Sequence, residues 1–261
     1  ECTSAVGTLG SSSSLLFTYD MERHDGIRLK KGYPEAEYIT VSFYVKSSIT
    51  GRYVLELYDN VNNRHVSKGY TINRPNVWEY KTITYPPDFT GRMHPANTLG
   101  ISFYWWLVAG TAYSNGNLTE VWQSAVGEDR SGGGTANIGL TSGATWEITG
   151  IQAETGKVAT EFDYLDYATQ LSLCQRYYWK LNNGANNPGA QWLYNISDNN
   201  SYRRATVNHP VPMRGSPSVT NISLTHGSPG VQFNGTHTTT IWINNVSGIS
   251  ELEYAEFDAE F

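Results

Sequence analysis

The six histidines, His24, His65, His94, His209, His226 and His237, are dispersed, with no H-E-x-x-H or H-x-H pair. That spacing gives no zinc site, because a protein-bound zinc needs closely spaced nitrogen or sulfur ligands. Serine chemistry is equally unsupported, since no G-x-S-x-G elbow is present. The stretch Ser131-Gly132-Gly133-Gly134-Thr135 lacks the Lys-Ser/Thr that would make it a phosphate cradle and reads as a flexible loop. Glu120, Glu128 and Asp129 are carboxylates of the kind that cleave a glycosidic bond in pairs. Nothing in their spacing assigns an acid and a base, so a catalytic role is not expected. Cys2 and Cys174 are the only cysteines, and both are expected as free thiols. No metal and no cofactor is expected.

Binding chemistry has more material. Sugar rings stack their C–H faces on exposed aromatic rings while neighbouring amides, carboxylates and guanidinium groups bond the hydroxyls. In GISFYWWLVAG, Ile101, Phe103, Trp105 and Leu107 alternate onto one face and Ser102, Tyr104, Trp106 and Val108 onto the other. The first face should line the core. The second presents Tyr104 and Trp106 as a candidate ligand platform unless a loop covers them. A second candidate platform is Trp192, Tyr194 and Tyr202, beside an Asn-rich loop at 182–187. Trp78, Trp122 and Trp146 sit near strand ends and are expected to pack.

The elements that must hold these residues are strands. Tyr, Trp and Gly are abundant (18, 8 and 25 residues) while charged residues make up 16%, an all-β composition and not that of a helical enzyme. Alternating apolar runs at 39–45, 52–58, 78–85, 100–108 and 144–152 are separated by turn clusters, which indicates a β-sandwich or jelly roll. One segment breaks the pattern: 166–181 places Tyr167, Leu171, Cys174 and Tyr178 at helical spacing, with Asp166 as N-cap. Leu173, Tyr177 and Leu181 form a second apolar stripe, which suggests contacts both within the chain and with other copies, with Leu171, Cys174 and Tyr178 as the candidate trimer interface. Beyond it lie Asn-, Ser-, Thr- and Gly-rich strands at 190–197, 202–208, 217–225 and 238–246. The expected organisation is a jelly-roll domain at 1–165, a short connecting helix at 166–181, and a small distal β-sandwich domain at 182–261.

The net charge of −6, with lysines and arginines scattered, argues against nucleic acid as a partner. The longest apolar run falls far short of the ~18 residues that span a bilayer, so membrane insertion is not expected. There is no basic-then-apolar leader and no initiator Met, so the chain reads as a piece of a longer, non-exported protein.

The block TWEITGIQAETGKVATEFDYLDYATQLSLCQRYYWK (145–180) resembles a segment of bacteriophage tail-fibre and virion structural proteins. Their pattern is an aromatic strand, T-G-[VI]-Q-x-E-x-G-x-x-A-T-x-F, and then C-Q-R-Y-Y. TVSFYVKSSITGRYVLEL (40–57), TINRPNVWEYKTITYP (71–86), VPMRGSPSVT (211–220) and the final DAEF are similar to further parts of that family. Tyr44 stands where the family has Trp, and Asp163-Tyr164-Leu165-Asp166 replaces an Glu-Arg-Arg-Ser run. The resemblance implies a carbohydrate-binding-module-like jelly roll in a homotrimeric tail protein, assembled in the bacterial host cytoplasm and carried on the virion. Its partners would be other phage tail proteins and a host surface polysaccharide, held without catalysis. Gln152, Glu154, Arg176 and Tyr178 would be scaffold, and receptor contacts would fall on distal loops at 182–189, 198–202 and 226–235. The alternatives are a virion shaft, neck or decoration subunit without ligand, and a carbohydrate-binding module of a secreted polysaccharide-degrading enzyme.

Overall fold

The computed structural model describes residues 1–182, 191–192, 202–224, 228–244 and 251–260. The described chain is mostly β, built from several antiparallel sheets with no closed barrel among the described residues. It divides into two compact units, Glu1–Asp163 and Tyr164–Phe261.

The first unit carries β1 (Ser14–Glu22), β2 (Ile39–Ser47), β3 (Gly51–Asp59), β4 (Arg64–Ile72), β5 (Glu79–Tyr85), β6 (Leu99–Ala109), β7 (Gln123–Ser124) and β8 (Trp146–Thr155). One sheet has five strands in the order β1-β6-β3-β4-β7, the other three in the order β5-β2-β8. Alternation decides what each strand buries. Ile101, Phe103, Trp105 and Leu107 of β6 join Val41, Phe43 and Val45 of β2 and Tyr53, Leu55 and Leu57 of β3 in one core. Phe43 meets Trp105 edge-on at 5.8 Å and Tyr70 edge-on at 5.2 Å between ring centres, the preferred geometry for aromatic quadrupoles. Each such fully buried large side chain contributes about 1.5–3 kcal/mol over its exposed state.

A buried ion cluster ties the turns at one end of β3. Lys31 Nζ donates to Asp59 and Asp88 at 2.5 Å each, and Arg64 Nε donates to Asp88 at 2.8 Å. Lys31 also lies 4.5 Å from the Trp122 ring centre. Burial opposes ionisation of Asp88, but the bonds from Arg64 and Lys31 outweigh it and hold its carboxyl below the usual range. Among the described residues, no group of three or more His, Cys, Asp or Glu is arranged for a metal ion. No described helix is long and apolar enough to cross a membrane.

The T-G-I-Q-x-E block is a clasp. Gly150 has φ +58° and marks a bulge in β8, close against the Tyr44 ring. Gln152 Oε1 accepts from the Asp163 N–H at 2.8 Å and Glu154 Oε1 from the Thr160 N–H at 2.9 Å. The chain leaving β8 is thereby laid back across the outer face of the three-stranded sheet.

The second unit carries the helix Tyr167–Gln175 and β9 (Tyr178–Asn182), β10 (Gln191–Trp192), β11 (Tyr202–Asn208), β12 (Ser218–Leu224), β13 (Ser228–Asn234), β14 (Thr238–Asn244) and β15 (Glu251–Asp258). β15 pairs with β9, β10 and β12, and β14 pairs with β11 and β13. The helix is shorter than its sequence pattern. Asp166 caps it by accepting from the Thr169 N–H at 3.0 Å, but it ends at Gln175, and residues 178–182 extend as a strand. The cause is tertiary: Trp179 stacks on Phe257 at 4.5 Å with planes 7° apart, which requires strand alternation at 177–181 in place of helical spacing. Tyr178 therefore does not share a helix face with Leu171 and Cys174. No residue of the helix is buried.

Candidate functional site

The sequence singled out the outward face of β6, and the structure closes it. Trp106 is 1% exposed and is not a surface platform. Its Nε1 donates to Glu56 Oε2 at 2.9 Å, Arg130 Nε donates to Glu56 Oε1 at 2.9 Å, and His65 Nδ1 lies 3.2 Å from the same oxygen. The Arg130 guanidinium sits over the rings of Tyr58, Tyr104 and Trp106 at 4.8, 5.2 and 5.3 Å. Tyr113 packs on Trp106 at 5.2 Å, and Leu118 joins Val54, Trp106 and Ala109 in a small second core. Tyr104, half-buried, is thus one wall of an arginine sandwich. Desolvation of Arg130 works against its charge, and the Glu56 carboxylate more than restores it. The Glu56 carboxylate, the Trp106 indole N–H and the Arg130 Nε are thus already bonded within the protein.

The 131–135 loop belongs to this cover and is not a free flexible loop. Ser131 is buried, and the Gly133 N–H donates to Ser114 O at 2.9 Å. Gly132 lies so close to the 117–118 backbone that a Cβ would sit 2.2 Å from the Asn117 carbonyl carbon.

The open part of the first unit is one edge between its two sheets. β1 is an edge strand of the five-stranded sheet, paired only with β6. Its core-facing row is accordingly half in solvent: Leu15 is 47% exposed, Phe17 39% and Tyr19 51%, where the paired row of β6 is 8% or less. Between β1 and β8 lies a cleft of about 710 Å³, the size of a small-ligand site. Phe17, Tyr19, Phe103, Trp105 and Ile151 give it an apolar floor and walls. Phe17 packs against both Trp105 (5.6 Å) and Trp146 (5.8 Å), so the floor is fixed.

A short helical turn after β1 supplies the polar rim. Residues 23–29 are anchored on one side by Arg23 Nε to Leu99 O at 3.3 Å, by buried Leu29, and by Gly26, whose added Cβ would lie 2.9 Å from Met93 Sδ. His24, Asp25 and Arg28 are exposed and line the cleft. None of these three side chains makes a hydrogen bond or ion pair with another described residue. Desolvation, followed by Asp25, Glu22 and Asp20, raises the Tyr19 phenol above its ordinary value, so it remains a hydrogen-bond donor. Glu154, also at the cleft, is committed to the clasp with Thr160. The arrangement offers aromatic faces beside one free guanidinium, one free imidazole and one free carboxylate, which suits a polyhydroxylated ring.

Of the other sequence candidates, Tyr194 lies outside the described residues, as do the side chains of Trp192 and Tyr202, whose backbones fall in β10 and β11. The loops at 182–189 and 198–202 lie almost wholly outside them as well, and so does the start of 226–235. Leu171 and Cys174 are exposed on the helix. Trp146 packs on the core as expected and Trp122 donates to Pro86 O at 2.9 Å, but Trp78 is 42% exposed. No motif singles out Phe17, Tyr19, Asp25 or Arg28, although Leu15, Phe17, Tyr19 and Met21 alternate there as plainly as any strand.

No protein-family model, curated protein or solved structure matches the chain.

Proposed function

We propose that this chain is a non-catalytic attachment protein of a bacteriophage tail, which holds a host surface glycan in the edge cleft of a jelly-roll sandwich. The observation that carries the reading is the unengaged set His24, Asp25 and Arg28 set against the Phe17 and Tyr19 rings. Resemblance of the 145–180 block to tail-fibre proteins gives the virion context, with other tail proteins as partners. A homotrimer accords with the helix Tyr167–Gln175, which buries no residue and leaves Leu171 40% and Leu173 47% exposed. A nine-residue helix is marginal in water without packing, and neighbouring copies would supply it through Leu171 and Cys174. Three weak sites per trimer then raise avidity by about 10²–10⁴.

The test is binding of the recombinant chain to a panel of purified bacterial O-antigen and capsular polysaccharides, with mass read by light scattering. Trimers that retain one polysaccharide and leave its length unchanged are expected. Shortening of the polysaccharide would overturn the non-catalytic reading, and trimers that bind nothing would favour a shaft, neck or decoration subunit. Leu171→Asp should convert trimers to monomers; a variant that still runs as a trimer contradicts the helix interface.

A further inference from the structure

The outer face of the three-stranded sheet carries a second set of exposed aromatic rings. β2, β5 and β8 put Tyr44 directly opposite Tyr80 on one side and Thr149 on the other. In the next row Lys46 pairs with Glu147, and Trp78, just before β5, lies beside Lys46. Tyr44, Tyr80 and Trp78 are 45%, 49% and 42% exposed, yet each ring is held. Tyr44 and Tyr80 touch with ring centres 5.0 Å apart, and Tyr44 also rests against Gly150. Lys46 Nζ lies 5.0 Å from the Trp78 ring centre and pairs with Glu147 at 2.9 Å.

An apolar protein partner would fit this face poorly, because covering the rings would also cover Lys46, Glu147, Thr82 and Thr149. Burying such groups without new bonds is costly. A sugar chain meets both demands, since its ring faces are apolar and its equatorial hydroxyls both donate and accept. The two tyrosine hydroxyls make no hydrogen bond with another described residue and are open to it. Because Tyr44 and Tyr80 are already fixed on paired strands and the Trp78 ring is held beside Lys46, little side-chain freedom is lost on binding.

We infer that Trp78, Tyr80 and Tyr44 form a second carbohydrate subsite, on the outer sheet face, that stacks pyranose units of the same polymer held in the edge cleft. The inference rests on the glycan-attachment reading and adds a site to it. Affinity electrophoresis in gels containing O-antigen polysaccharide, capsular polysaccharide, dextran or xylan tests both. Wild type is compared with Trp78→Ala/Tyr80→Ser and with Arg28→Ala, and thermal midpoints and light-scattering mass are recorded for each. The platform variant should lose affinity about tenfold, at the upper end for aromatic stacking, with midpoint and mass unchanged. A platform variant that binds as wild type, while Arg28→Ala loses binding, overturns the second subsite and leaves the cleft standing. Wild type that none of the four polysaccharides retards overturns the attachment reading and the subsite together. A platform variant that changes mass shows the face to be a contact between copies, which also overturns the subsite.

Discussion

On the covered face of the five-stranded sheet, Glu56 is bonded to Trp106, Arg130 and His65. At the open edge of the same unit, His24, Asp25 and Arg28 are exposed and bonded to no described side chain. Both regions combine aromatic rings with charged groups, so residue type alone does not separate a binding surface from a structural one. What separates them is whether the polar valences are already used. A buried carboxylate with three partners gains nothing from a ligand and loses much when a partner is removed. An exposed, unpaired guanidinium beside a fixed aromatic floor loses little on substitution and has bonds to offer.

The sharpest way to break this contrast is Glu56→Leu. The change leaves Trp106 Nε1 and the imidazole of His65 buried without their acceptor and Arg130 partly buried without its counter-charge. It should destabilise the first unit by about 3–5 kcal/mol, read as a shift in urea midpoint; a change under about 1 kcal/mol would mean the network is not holding the face closed. Acid gives the next effect. Asp88 has a folded-state value lowered by Arg64 and Lys31, so it binds its proton more readily when unfolded. Its contribution is full above the unfolded value of about 3.9 and is lost as pH falls through the folded value. The urea midpoint should therefore fall with acidification in that window, and Lys31→Met should flatten the fall while lowering the whole curve. A Lys31→Met protein with an unaltered pH profile would contradict the role given to that ion cluster. Smallest of all, Arg28→Ala should leave stability within about 0.5 kcal/mol, as surface substitutions generally do.

Local pattern carried much of the fold. Alternation at 39–45 and 100–108 matched β2 and β6, and Ile101, Phe103, Trp105 and Leu107 are all in the core. What alternation cannot say is which face a distant loop will cover. Arg130 reaches Glu56 from 74 residues away, and nothing near Trp106 in the chain announces that it will be buried. The helix shows the same limit at its end, where the spacing of Tyr178 fits a helix but the stacking of Trp179 on Phe257 pulls the segment into β15's sheet. The cleft was hidden for a third reason. It lies beside β1, an edge strand whose place is set by long-range pairing with β6, and local alternation does not reveal that Phe17 and Tyr19 stay part-exposed there.

The most direct test places the two regions side by side, with urea midpoint and polysaccharide affinity measured for Tyr104→Ala and for the double variant Tyr19→Ala/Arg28→Ala. If the closed face is structural and the open edge is the binding site, Tyr104→Ala loses stability and keeps affinity, and the double variant keeps stability and loses affinity at least tenfold. The opposite crossing, with binding lost at Tyr104 and retained in the double variant, would contradict the account.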